Sequence, residues 1–345
     1  MRKVYFIRFG IYITVVLLLA AYACDGGTGP GDGVIQGFLY LCLESTGDGC
    51  VKKTRSDDGS LVYDIDLEAG SRIYDIAVNL DNGDFYVYYG TDVKRYSKDG
   101  KIVTTIENVT EASLIEKLLL APTSDGRYLW VINAEYEVVT TLMLICFNVV
   151  TGELVSEGSP VYSDGDHDIK PGSGSSVWVL SEADNIRGIR RYGIGGEIEA
   201  EIVEPGLYSY VFNVDTNDNS IWAVYDSGDF VKYDSAGAKT FVFNAGIADI
   251  LYGRIIIEVN GVTGDVLLVT NNYIIAYSEE GIKKFEIETE YIRDICYHPD
   301  GGSWFLLRAK APSGSLIENR DPDTGEVLRT ITLSRDYPHF EFSNQ

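Results

Sequence analysis

Apolar residues in this chain fall in short runs separated by clusters of Gly, Asn, Asp and Ser. The alternation in Asp84-Phe85-Tyr86-Val87-Tyr88-Tyr89 and the β-branched run Lys101-Ile102-Val103-Thr104-Thr105-Ile106 predict strands. Asp81-Asn82-Gly83, Ser124-Asp125-Gly126 and Asp300-Gly301 supply residues that tolerate positive φ between antiparallel strands. A longer unit overlies these elements: a short aromatic strand, a small polar turn and then Gly. Examples are Val93-Lys94-Arg95-Tyr96-Ser97-Lys98-Asp99-Gly100 and Ile275-Ala276-Tyr277-Ser278-Glu279-Glu280-Gly281.

The equivalent glycines are Gly59, Gly100, Gly152, Gly196, Gly237, Gly281 and Gly325, a period of roughly 41–52 residues. Trp130, Trp178, Trp222 and Trp304 each follow a turn by a few residues and share one register, which predicts packing between repeats. Each repeat reads as four strands, giving full repeats at approximately 73–107, 117–157, 167–204, 208–244, 249–288 and 291–333. The N-terminal stretch from Phe38 to Ile65 supplies three more strands, and His339-Phe340-Glu341-Phe342-Ser343 supplies a fourth. The expected fold is all-β: a seven-bladed β-propeller of four-stranded antiparallel blades, closed by both termini. Six blades with a loose N-terminal hairpin is the alternative.

The repeat resembles the YVTN/NHL-type propellers, including the relatives of quinoprotein and lactonase propellers. The residues that carry the resemblance are Ala121-Pro122-Thr123-Ser124-Asp125-Gly126-Arg127-Tyr128-Leu129-Trp130 with Thr151-Gly152-Glu153, and Tyr297-His298-Pro299-Asp300-Gly301 with Asp323-Thr324-Gly325-Glu326. It implies fold over residues 34–343 and selects no activity, because propellers host enzymes and scaffolds alike.

Residues 1–23 read as a secretory signal: Arg2 and Lys3, the apolar run Ile11–Ala21, then small residues before Cys24. Cleavage at Ala21-Tyr22-Ala23 would release a secreted chain. Alternatively, Ala21-Tyr22-Ala23-Cys24 resembles a bacterial lipobox, in which Cys24 becomes lipidated, although Tyr22 is bulky for that pattern. The Gly-rich residues 25–33 favour the lipoprotein, since they form a flexible tether, and the propeller then occupies 34–345. Export to a bacterial envelope, facing the periplasm or the exterior, permits disulfides, and Cys42 and Cys50 are candidates for a local bridge. With 52 acidic residues against 28 basic ones, the net charge is −24. Such a field repels nucleic acid, so no nucleic-acid partner is expected.

Candidate chemistry is sparse. Asp75-Ile76, Asp168-Ile169, Asp249-Ile250 and Asp294-Ile295 recur, each read as opening an inner strand at a channel mouth. Four such carboxylates suit a hard cation such as Ca²⁺, or they accept hydrogen bonds from the segments joining neighbouring blades. The second role is the expected one, and no cofactor is expected beyond calcium in that ring. Asp164-Gly165-Asp166-His167-Asp168 departs from the calcium-loop pattern, with Ile169 at the glycine position and Ser175 where a Glu belongs. His167, His298 and His339 form no zinc motif, and Gly172-Ser173-Gly174-Ser175-Ser176 lacks a nucleophile-elbow context. The sequence therefore reads as a protein- or glycan-binding or assembly module of the cell envelope, held to the membrane by its lipid anchor. A channel-centred, metal-dependent, lactonase-like hydrolase is the alternative.

Overall fold

A computed structural model describes residues 38–343 apart from some connecting segments, among them 245–254. The leader, Cys24 and the tether lie outside the described residues. Strands supply the regular structure. Six units are built from consecutive antiparallel strands. In chain order they are β4 (Ile73–Val78), β5 (Phe85–Tyr89), β6 (Asp92–Tyr96) and β7 (Ile102–Ile106); then β8 (Ile115–Pro122), β9 (Tyr128–Tyr136), β10 (Thr140–Asn148) and β11 (Leu154–Glu157), with a short β12 (Val161–Tyr162) also on β10. Next come β13 (Asp168–Pro171), β14 (Val177–Ala183), β15 (Ile186–Tyr192) and β16 (Ile198–Ile202), followed by β17 (Ser209–Val214), β18 (Ile221–Tyr225), β19 (Asp229–Tyr233) and β20 (Lys239–Asn244). The last two are β21 (Ile256–Val259) to β24 (Lys283–Glu288), through β22 (Val266–Val269) and β23 (Tyr273–Tyr277), and β25 (Ile292–Tyr297) to β28 (Val327–Leu333), through β26 (Trp304–Ala309) and β27 (Ser315–Arg320).

A further sheet is composite. β29 (His339–Ser343) pairs antiparallel with β1 (Phe38–Leu43), which continues into β2 (Cys50–Arg55) and β3 (Leu61–Asp66). The first strand of each unit touches the first strand of the next, and β29 touches both β25 and β4. These contacts complete a circuit, which is the arrangement of a β-propeller.

Each sheet is apolar on both faces, so the core lies between neighbouring sheets. Trp130 packs with Ile169, Val177 and Tyr192 of the following unit, and Trp178 with Phe212 and Ile221. Trp222 packs with Ile257 and Leu268. Trp304 breaks the pattern and packs backward, against Leu267 and Ala276 of the preceding unit. The expectation of one register for all four is corrected by the pairing. Trp222 is opposite Asn213, one place inside the strand end, whereas Trp304 is opposite Tyr297 at the end itself. Both lie three residues after a left-handed turn residue, Asn219 or Gly301, but that residue stands one place earlier in the second turn, so Trp304 enters its strand one position sooner, and a one-residue slip reverses the face. All four indoles are fully buried. Truncating such a side chain typically costs about 3–5 kcal/mol, a large part of a domain's net stability.

The periodic glycine has a two-part cause. In the third-to-fourth-strand hairpins, Gly100, Gly237 and Gly281 have φ of 78°, 83° and 76°. Gly100 N–H donates to Ser97 O, and the register shifts by one at Arg95/Tyr96, giving a turn with a bulge. The same turn is pressed onto the fourth strand of the preceding sheet. A Cβ on Gly281 would overlap the Phe241 ring, and one on Gly237 would lie 3.2 Å from Glu201 O. Left-handed conformation and close approach together exclude any side chain there.

The β1–β2 register places Cys42 opposite Val51 and Cys50 opposite Leu43. The Cys42 side chain lies outside the described residues, so the local bridge to Cys50 stands as an expectation of the sequence. Cys50, Cys146 and Cys296 are buried.

Gly174 and Gly281 separate the two causes, because a Cβ at Gly174 meets nothing within 4 Å while its φ is 64°. Gly174→Ala should cost about 1–2 kcal/mol, from the left-handed backbone alone. Gly281→Ala should cost about 2–5 kcal/mol, since overpacking against Phe241 is added. Denaturant midpoints of the two variants test this, and equal losses would remove the packing half of the explanation.

Candidate functional site

The recurrent Asp-Ile pairs occupy one structural position in three units. Asp75, Asp168 and Asp294 each stand three places before the last paired residue of the first strand, opposite Tyr88, Leu180 and Leu307. All three are buried. Each Oδ1 accepts the N–H of the following isoleucine at 2.9 Å. Asp75 Oδ2 also accepts Leu120 N–H at 2.7 Å, so one carboxylate joins β4 to β8. Asp168 Oδ2 lies 3.5 Å from Lys170 Nζ. Asp249 falls outside the described residues, and β21 begins at Ile256 rather than at 249. The register position that holds Asp in those three units is Ile256 in this one, opposite Val269.

Further polar groups on the same strands escaped the sequence reading. Lys170, Asn213 and Glu258 each stand one place before the last paired residue of β13, β17 and β21. Asn213 Nδ2 donates to Ile257 O at 2.9 Å and to Glu258 Oε2 at 3.1 Å, linking β17 to β21. Glu258 in turn accepts Tyr297 N–H from β25. Side chains on successive inner strands thus fasten one strand to the next by buried hydrogen bonds. Their sequence signal is a lone polar residue inside an apolar run, as in Ile257-Glu258-Val259. A search for a repeated dipeptide passes over it.

Electrostatically the group is acidic with Lys170 among it. Burial pushes the Asp75 carboxyl well above its ordinary range, opposed by the Leu120 and Ile76 amides and by Lys170. Burial likewise raises Glu258 to about 8; Lys170 opposes this and Asp294 reinforces it. Chemically, the arrangement accepts backbone N–H groups and stores protons. Among the described residues no group of three or more His, Cys, Asp or Glu side chains is placed to hold a metal ion.

No family model matches this chain, and no curated protein matches its sequence. Among solved structures it is similar to the C-terminal WD40 domain of Sif2, with a TM-score of 0.60 and 11% identity over 87% of this chain and 84% of that one. Matches of this kind extend to 1223 chains, so the likeness defines a fold and selects no activity. The chain is a β-propeller of four-stranded antiparallel blades.

Two measurements follow from the site. Asp75→Ala removes the acceptor for two buried amides and should cost about 1–3 kcal/mol. That loss should be the same with and without calcium; a calcium-dependent rise in the wild-type melting temperature that the variant lacks would instead indicate a bound cation. Glu258 gives a pH signature. Its folded pKa lies above the unfolded value, so between about 4.5 and 8 the folded state keeps a proton that the unfolded chain has lost. Stability should therefore fall as pH rises through that window, and Glu258→Gln should flatten the slope. An unchanged slope in the variant would mean that Glu258 is ionised throughout.

Proposed function

We propose that the chain is an exported, lipid-anchored β-propeller of the YVTN/NHL repeat type that serves as a protein- or glycan-binding or assembly module of the cell envelope. Cys24 carries the lipid, residues 25–33 form the tether, and seven blades are closed by both termini. The closure reading draws on the antiparallel pairing of β29 with β1. The binding reading rests on one observation: the recurrent carboxylates are taken up by backbone amides, each by the following isoleucine and Asp75 also by Leu120 of the neighbouring strand. With those side chains serving the scaffold, loops and rims carried on a rigid ring become the functional surface.

A lactonase-like hydrolase would need oxygen ligands gathered around a metal ion. Because the described residues contain no such group, its ligand set would have to draw on residues such as Asp249. Metal analysis of the purified chain distinguishes the two readings, with one tightly bound divalent ion per chain favouring the enzyme.

Anchoring is tested through Cys24. Stable membrane attachment takes two hydrophobic chains, and one gives only marginal binding. Cys24→Ala should therefore move the protein from the membrane fraction to the soluble one. Identical partitioning of wild type and variant would defeat the lipoprotein reading. Release by Cys24→Ala would support it, and affinity capture of the anchored wild type from its own envelope would identify the partner.

A further inference from the structure

The outer strands carry an uneven rim of apolar side chains. β28 exposes Leu328, β3 exposes Leu61 and Val62, β7 exposes Ile102 and Val103, and β11 exposes Leu154, at 45–58% of their full area. These positions directly follow the hairpin that leads into each outer strand. On β20, by contrast, the equivalent positions are Lys239 and Thr240. Exposed edge strands usually carry charge that keeps other strands away, yet β7 reads Ile-Val-Thr-Thr-Ile without one. The apolar rim thus spans neighbouring units, with the composite sheet among them.

The chain's N-terminal side enters at the same end of the ring. Phe38 is paired with Arg55, and Arg55 N–H donates to Ser60 O in the turn that leads directly into Leu61. Thirteen residues separate Cys24 from Phe38. A Gly-rich tether of that length has a root-mean-square span of about 20 Å. Any lipid at Cys24 therefore holds this end of the composite sheet near a bilayer, at high effective concentration.

We propose that this sector of the rim rests on the lipid bilayer, with Leu61, Val62, Ile102, Val103, Leu154 and Leu328 seated among the headgroups. The proposal rests on the lipid-anchor reading above. Apolar area on the protein adds to the acyl chains as a second attachment and orients the ring relative to the membrane. The net charge of −24 selects zwitterionic over anionic lipid as the favoured surface.

Bromolipid quenching tests it in the full chain. Leu61→Trp and Ile102→Trp place reporters in the sector, and Val242→Trp on β20 places one outside it. The native Trp130, Trp178, Trp222 and Trp304 are buried and form a common background. In membranes of brominated phosphatidylcholine, the first two reporters should lose emission relative to ordinary phosphatidylcholine, and the third should keep it. Equal quenching of all three, or none, overturns the proposal. Protection from aqueous iodide without bromolipid quenching also overturns it, because a protein then covers the rim. Cys24→Ala separates the two readings. If anchoring alone is wrong, wild type and Cys24→Ala partition alike while sector-specific quenching persists on added vesicles. If the rim alone is wrong, Cys24 still anchors the chain and the reporters stay bright.

Discussion

The structure depends on each sheet having two apolar faces. β5 and β18 are buried along their whole length, so a neighbour is needed on either side of each sheet. Phe85 is covered from the preceding sheet by Val51, and Tyr86 shares a cluster with Leu120 and Val131 of the following one. A row of such sheets always leaves two faces bare unless it bends round to meet itself. Pairing of β29 with β1 supplies that meeting point by hydrogen bonds between the two ends of the chain. Open edges, with their unsatisfied amides, are the state this pairing avoids.

Close approach of the sheets then dictates the small-residue positions and the polar ones. At the hairpin face, glycines allow a turn to lie on the preceding outer strand, as Gly281 does on Phe241. Near the axis the backbones themselves converge, and their amides need partners that a neighbouring strand in another sheet cannot provide. Asp75, Asn213 and Glu258 reach across and provide them. A buried carboxylate is costly unless it is hydrogen-bonded or paired, so these acids are tolerable only because amides and Lys170 surround them. The same cost explains why burial raises the Glu258 carboxyl, and it makes the axis of the ring sensitive to protonation.

Much of this architecture was legible in the sequence because it repeats. A left-handed glycine marks the third-to-fourth-strand hairpin in each of the six consecutive units, and the four-strand reading of each repeat follows from the alternation between those glycines. What escaped the reading turns on single-residue register. Trp222 and Trp304 stand at the same spacing from their turn residue, yet face opposite neighbours because Trp304 is the first paired residue of its strand and Trp222 the second. Asp249 carries the dipeptide but lies outside the described residues, and the described inner strand of its unit starts at Ile256. Glu258 and Asn213 lack the dipeptide and still occupy the fastening positions. A motif search weighs residue identity, whereas a β-sheet responds to the parity of the register, which is counted from the paired end of the strand.

Function on such a frame is confined to surfaces that the repeat does not need. Inner strands are committed to the axis, middle strands to the faces and hairpins to the neighbouring sheet. Only the outer rim and the long connections are free to differ between blades without disturbing the ring. The rim does differ: Ile102-Val103 in one outer strand is replaced by Lys239-Thr240 at the same place in another. Exposed β-branched pairs contribute little to the fold, because their side chains lie largely outside the packed interface. Leaving them on an uncharged edge raises the hazard of association with other strands. Single exposed apolar residues such as Val242 occur elsewhere, but adjacent exposed pairs fall in four neighbouring units around the composite sheet, which points to contact at that arc rather than to a requirement of folding.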